Sequence, residues 1–273
     1  MLKARLLTAA VLIPLVVWGT LALPTLWFSL LIALVVALGA WEWAALAGLA
    51  SRAMRGLYVV LMLLALWGLY YLPAVWVLAA ATLGWCTAAV ILVRYPAGAA
   101  LWSGVGSGVG MAAIVGVWVL APAWFALTHL HAAAPQGPYW VLFLMVLAWV
   151  ADSAAYFSGK RWGTTKLAPH ISPGKTWAGV WGALAATLLI APAGGIAFEF
   201  SGYRLWLFIG LCLVTVIFSI VGDLFKSLYK RARGVKDSGH LLPGHGGVLD
   251  RIDSLTAAGP VLMLGLWLLG SVQ

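Results

Sequence analysis

Only seven acidic residues occur in 273, and five of them, Asp152, Asp223, Asp237, Asp250 and Asp253, stand in or beside two polar segments of the C-terminal half. Carboxylates beside long apolar runs carry a desolvation cost that a partner or a cation must offset. Mutual salt bridging with the neighbouring Lys and Arg is the plain explanation, but it does not require the glycine pattern around them. The segment from Asp223 reads DLFKSLYKRARGVKDSGHLLPGHGGVLDRID. Continued as helix, it sets Asp223, Ser227, Lys230 and Arg231 at i, i+4, i+7 and i+8, on one face. The helix should end after Gly234, and the loop then carries Lys236, Asp237, Gly239, Pro243, Gly244, His245, Gly246 and Gly247. Gly246 and Gly247 let backbone N–H groups approach an oxyanion, as phosphate-cradling loops require. Asp250 and Asp253 follow three apart, on one side of a helical turn, with Arg251 between them. Oxygen ligands without a His/Cys set favour a hard cation such as magnesium over zinc.

The second polar segment, from Asp152, reads DSAAYFSGKRWGTTKLAPHISPGKT. Gly174, Lys175 and Thr176 look like the end of a Walker A loop, but Pro169 stands where its first glycine is required. Ser172 and Thr176 still offer hydroxyl donors and Lys175 a point charge for phosphate. A basic loop that only sets topology is the alternative. Acidic metal ligands, many cations and glycine-rich loops together fit phosphoryl or nucleotidyl transfer, without saying which.

The elements that hold these groups must lie in lipid. The chain is 64% hydrophobic and 8% charged, against about 25% charged in an ordinary soluble domain, which excludes a water-soluble globule. Hydropathy and breaker residues predict an all-α, polytopic fold of about nine transmembrane helices, near 6–22, 25–48, 56–72, 75–93, 105–129, 138–158, 177–197, 204–224 and 254–271. The run after Lys3 and Arg5 could pass for a signal peptide but reads as a retained span. With the N-terminus cytoplasmic and the C-terminus outside, every Lys and Arg except Arg204 falls at the inner ends of spans, as the positive-inside rule requires. One membrane-embedded domain, 1–273, is expected, with 1–135 as scaffold helices and 136–273 as the catalytic half. The net charge of +9 then belongs to the cytoplasmic face, toward anionic headgroups, a phosphorylated substrate or topology alone; no nucleic-acid partner is expected. Cys86 and Cys212 read as buried small hydrophobes, and Trp18, Trp27, Trp41, Trp43, Trp140 and Trp162 as interface anchors. Gly104 with Gly108, and Gly106 with Gly110, fit small-residue helix packing. Glu42, alone in an apolar span, either supports the site from below or caps a polar contact. His129 and His131 are placed at the outer interface.

The C-terminal segment resembles the signature of the phosphatidate cytidylyltransferase (CDP-diacylglycerol synthase) family. Its positions appear here as Ser227, Lys230, Arg231, Lys236, Asp237, Gly239, Pro243, His245, Gly246, Gly247, Asp250, Arg251 and Asp253. The likeness extends upstream to Asp223 and to Asp152, Tyr156, Gly159, Lys166, Pro169, Ser172, Pro173, Lys175 and Thr176; the N-terminal half matches mainly in hydropathy and in Trp-Glu-Trp at 41–43. Tyr229 stands where an aliphatic residue is usual, and Ala178 where relatives often have Glu or Gln.

The resemblance implies that CTP and phosphatidic acid give CDP-diacylglycerol and pyrophosphate with magnesium, the identity of any second cation being left open, in a multi-pass protein of the inner cell membrane whose active site faces the cytoplasm. It also implies a homodimer. An in-line displacement is expected, with Asp223 and Asp250 as metal ligands and Lys230, Arg231, Lys236 and Arg251 neutralising phosphate charge. Asp237 and Asp253 orient those cations or the metal's water. Asp152, Ser172, Lys175, Thr176 and Ser227, with Gly246 and Gly247, hold substrate phosphates or the nucleotide. His245 stabilises the loop or binds phosphate, in preference to forming a covalent nucleotidyl intermediate. The rival readings are a CTP-dependent transferase or kinase acting on another lipid, and a transporter of a phosphorylated solute. A transporter would carry its ionisable residues near the midplane, often in inverted repeats.

Overall fold

The computed structural model describes residues 2–95, 108–239, 241 and 246–272. Among them the apolar runs form nine helices: α1 Leu2–Ala22, α2 Thr25–Ala47, α3 Arg52–Leu69, α4 Ala74–Arg94, α5 Val109–Ala132, α6 Gly137–Trp162, α7 Trp177–Ala197, α8 Gly202–Ala232 and α9 Leu249–Leu268. The helices α2 to α8 are long and apolar enough to cross a membrane. In α9 the apolar run from 254 follows a charged first turn. Helix starts follow local chemistry. Ser51 caps α3 by accepting the Met54 N–H at 3.1 Å, and Thr176 caps α7 by accepting the Gly179 N–H at 3.2 Å.

The helix α9 runs through the middle of the bundle, packed on α8 and also meeting α4, α5 and α6; α6 lies along α7 and α2 along α5. Side chains that must leave a polar edge inside this core aim it at a neighbouring helix. Trp43 Nε1 donates to Ala112 O at 2.8 Å, Trp124 Nε1 to Ser29 O at 2.9 Å, and Tyr58 Oη to Ala113 O at 2.9 Å. Nothing in hydrocarbon could replace those partners. Tyr229 fits the same core, its ring centroid 4.8 Å from that of Trp43.

Several expectations change here. Trp43 and Trp140 are buried in the core, Trp140 stacked on Phe198 at 3.5 Å, whereas Trp18, Trp27 and Trp162 are exposed as anchors should be. A purely compositional reading cannot separate a tryptophan at a helix end from one turned into the bundle. His131 is also buried: its Nε2 lies 2.9 Å from Thr20 O, its Nδ1 3.0 Å from the Thr25 hydroxyl, and its ring stacks on Phe28 at 4.1 Å. A carbonyl accepts only, so Nε2 carries the proton and Nδ1 receives that of Thr25. This ring therefore pins α1, α2 and α5 together. Cys212 is buried, but Cys86 is on the exposed side of α4. Gly108 and Gly110 face open space, so neither makes the close helix contact expected; Gly104 and Gly106 lie outside the described residues.

The segment after α6 is more ordered than a loop. Strands β1 Lys166–Ala168 and β2 Ser172–Thr176 form an antiparallel hairpin, with Lys166 opposite Thr176 and Ala168 opposite Ser172. Its turn buries Ile171 against Leu224 and Leu228 of α8. That contact fixes the hairpin to the helix carrying the acidic face.

Candidate active site

The two polar segments meet at one end of the bundle, where the C-terminal part of α8, the first turn of α9, the hairpin and α6 come together. Close approach of α8 and α9 depends on Gly222, where a Cβ would lie 2.7 Å from Asp253 O. The next residue on α8 is Asp223, and its carboxylate lies within hydrogen-bonding reach of that of Asp253.

Lys226 holds the buried part together. Its ammonium lies 3.0 Å from Asp250 Oδ1, ion-pairs with Asp253 Oδ2 and donates to Leu249 O at 3.3 Å. Its side chain is 4% exposed, and those of Asp250 and Asp253 are 7% and 12% exposed. Lys230, one turn along α8, reaches the same Asp250 Oδ1 at 3.0 Å. Asp250 Oδ2 accepts two backbone N–H groups, Ser238 at 3.0 Å and Gly247 at 3.2 Å. Asp250 precedes the apolar part of α9. Burial pushes its carboxyl up, but the Lys226 ammonium, the Ser238 N–H and Lys230 outweigh that and hold it well below the usual carboxylate range.

Lys175 of the hairpin pairs with Asp223 Oδ2 at 2.6 Å, with side chains 26% and 29% exposed. Ser227 donates to Asp223 Oδ1 at 3.4 Å, and Ser254 to Asp152 Oδ2 at 3.4 Å. Thus Asp152, Lys175, Asp223, Ser227, Lys230, Asp250 and Asp253 share one neighbourhood. Ion pairing, the plain reading of the acidic cluster, joins Asp223 to Lys175, Asp253 to Lys226, and Asp250 to Lys226 and Lys230; Asp152 is held by Ser254 instead.

Other expected residues take different places. Arg231 Nε donates to Ile171 O at 3.1 Å and so braces the hairpin. Thr176 is buried, its hydroxyl oxygen spent as the α7 cap, and Ser172 is half-buried in β2. Lys236, Asp237 and Arg251 are exposed at the rim. The Gly247 N–H turns inward to Asp250 instead of standing free for an anion, and Gly246 adopts a φ of +81° beside the same carboxylate. His245 lies outside the described residues.

Sequence alone assigns Lys226 no role in the site, and leaves Glu42 between supporting the site from below and capping a polar contact. Lys226 is i+3 from Asp223, a spacing that also shares a helix face. Glu42 on α2 accepts from Ser238 Oγ at 3.1 Å, Val248 N at 3.0 Å and Leu249 N at 2.9 Å. Its only sequence signal was an acid alone in an apolar helix.

The donor set suits magnesium. Two carboxylates as close as Asp223 and Asp253 need nearby positive charge. Lys226 supplies it in the interior and Lys175 at the more open Asp223, where a hard cation with oxygen donors could take the lysine's place. Among the described residues no three Asp, Glu, His or Cys side chains gather at ligand spacing. Magnesium held by one or two carboxylates, with water and substrate phosphate filling the rest, does not need three.

Comparison with known proteins gives this end of the bundle a context. The family model described as "Cytidylyltransferase family" matches residues 3–269. The chain is 47% identical over 272 residues to a protein of Pseudomonas aeruginosa named phosphatidate cytidylyltransferase, covering 99% of this chain and 98% of that one. A protein of the same name from Haemophilus influenzae is 38% identical over 287 residues, covering 95% and 96%. One from Staphylococcus aureus is 41% identical over 127 residues, covering 46% and 48%. Since the match runs almost from end to end and takes in every helix that contributes to the charged cluster, the chain belongs to the cytidylyltransferase family.

Proposed function

We propose that this chain is a phosphatidate cytidylyltransferase, converting CTP and phosphatidic acid to CDP-diacylglycerol and pyrophosphate at a membrane surface. The observation that carries the chemistry is the meeting of Asp223, Asp250 and Asp253 with Lys175, Lys226 and Lys230 where α8, α9 and the hairpin converge. The names of the near full-length relatives supply the substrate pair.

A phosphatidate oxygen attacks the α-phosphorus of CTP in line, forming the new P–O bond. The bond from the α-phosphorus to the bridging oxygen breaks, and pyrophosphate leaves with its electron pair. The nucleophile is an anion at neutral pH, so the site needs no strong base. Its work is to position two polyanions and offset their charge. Lys175, the more exposed lysine, is placed to exchange its Asp223 partner for a phosphate. Lys230 spends one contact on Asp250 and faces the same cluster. The rim residues Lys236 and Arg251 supply further positive charge. Of the three ion-paired carboxylates, Asp223 is the most open to magnesium. Asp250, whose oxygens are taken by Lys226, Lys230 and two N–H groups, would join it only by exchanging a lysine. When bound, the ion would offset charge on the triphosphate and the departing pyrophosphate.

The positive-inside distribution supports placing this end in the cytoplasm, with the N-terminus on the same side and the C-terminus opposite, in the inner cell membrane. A homodimer belongs to the proposal through family resemblance alone. The test is turnover by purified protein in mixed micelles of phosphatidic acid with CTP and magnesium. The expected result is equimolar lipid-linked CMP and pyrophosphate. Turnover that survives both Asp223→Ala and Asp250→Ala would sink the assignment of roles.

A further inference from the structure

The first turn of α9 bears Asp250, with Asp253 just beyond it, yet its own flanking residue, Val248, provides no side-chain cap. The first N–H groups of a helix are orphans that need an acceptor, and a carboxylate there also suits the helix dipole. Here the acceptor comes from the other half of the molecule. Glu42 of α2, 3% exposed, takes the Val248 N–H on Oε1, and the Leu249 N–H and Ser238 hydroxyl on Oε2. The loop is shaped for this carboxylate. A Cβ at Gly239 or at Gly247 would run into its oxygens. Ser238 and Gly247, one bound by Glu42 and the other next to a residue it binds, are the two whose N–H groups hold Asp250 Oδ2. The start of the same segment is also tied to α2: Arg233 donates from Nε to Leu46 O at 2.7 Å and from Nη2 to Ala47 O at 2.5 Å.

We infer that Glu42 is a positioning residue for nucleotidyl transfer: it seats Ser238, Val248 and Leu249 on α2 so that the N–H groups of Ser238 and Gly247 aim Asp250 at its lysines and at the substrate site. This rests on the proposed function above and assigns the N-terminal half a part in the chemistry. Glu42 acts through Ser238, Gly247 and Asp250, without touching a substrate. A cap needed for folding alone would change how much folded protein is obtained and leave turnover per folded molecule as it was.

The experiment compares the full chain with Glu42→Gln, Glu42→Ala and Ser238→Ala in phosphatidic acid micelles. Three quantities are read: kcat per folded molecule, KM for each substrate, and amide hydrogen exchange over 238–250. A carboxylate displaced by about 1 Å costs on the order of 10²-fold in rate, so Glu42→Ala should lower kcat about 10²-fold and Glu42→Gln, which keeps one acceptor oxygen, about tenfold. Both KM values should stay within about threefold, since uniform substrate binding is untouched. Exchange at 247–250 should quicken in both variants. Adding Ser238→Ala to Glu42→Ala should cost less than its separate effect, because both act on one seat. Unchanged kcat per folded molecule in Glu42→Gln, or fully additive effects of positions 42 and 238, would overturn the inference. If Glu42→Ala does not fold, Glu42→Gln and Ser238→Ala decide it. If the wild-type chain fails to turn over CTP and phosphatidic acid, the functional reading falls; exchange at 247–250 then still decides whether Glu42 seats the segment, and unaltered exchange in Glu42→Gln refutes it.

Discussion

Two ion-paired clusters share the charged end of the bundle, and they differ in how far water reaches them. Around Lys226 the ammonium and the two carboxylates of Asp250 and Asp253 are 4%, 7% and 12% exposed, and every oxygen of Asp250 already has a partner. Between Lys175 and Asp223 the side chains are 26% and 29% exposed, and a single ion pair joins a hairpin to a helix. The buried cluster is framework: taking one member away strands charge where nothing can solvate it. The more open pair is exchangeable, since water or a phosphate can take the place of either partner at small cost. A site that must admit and release a triphosphate needs both kinds, a rigid one to set geometry and a loose one to trade contacts.

The largest effect should come from Lys226→Met, which strips Asp253 of its buried ammonium and leaves Asp250 only Lys230. Thermal unfolding in micelles should show a loss of about 3–5 kcal/mol together with loss of turnover. A stable, active Lys226→Met would erase the distinction between the clusters. Asp223→Asn should separate the two properties, with turnover down about 10³-fold and stability changed by less than about 1 kcal/mol. Lys175→Ala should act more weakly, by about 10²-fold or less, because other cations share its charge. Its KM for CTP should also become less sensitive to salt, measured from 50 to 500 mM on the order of a Debye-length change of about threefold. At the opposite end, His131→Phe should lower stability by about 1–3 kcal/mol through the two contacts it strands, with kcat unchanged. A drop in kcat there would mean that the ends are coupled.

The helices were legible because hydrocarbon imposes a simple demand, a long apolar run with its backbone bonds closed within itself. The prediction that the eighth span continues as helix to about Gly234 matches α8, whose last turn closes with Gly234 N on Arg231 O. The ninth apolar span was placed from 254, with Asp250 and Asp253 on a helical turn before it, and the helix does begin at Leu249; what holds that turn is Glu42, more than two hundred residues earlier in the chain. No local pattern encodes that contact. The hairpin was missed for a related reason: Pro169 and Pro173 argue against strands locally, while the burial of Ile171 on α8 rewards the fold back. In the site, residue types and spacing named most of the cluster, including Asp152, Asp223, Lys230, Asp250 and Asp253. They could not say which cation sits deepest. Lys226 and Lys230 are one turn apart on the same helix, and only the packing of α9 decides between them.

The burial of Lys226 has a consequence for biogenesis. Its ammonium is made as part of α8, whereas Asp250 and Asp253, which offset it, emerge from the ribosome more than twenty residues later. Until α9 docks, that ammonium has only Asp223 of its own helix for company, so the charged cluster is completed in the same event that seats α9 on α8.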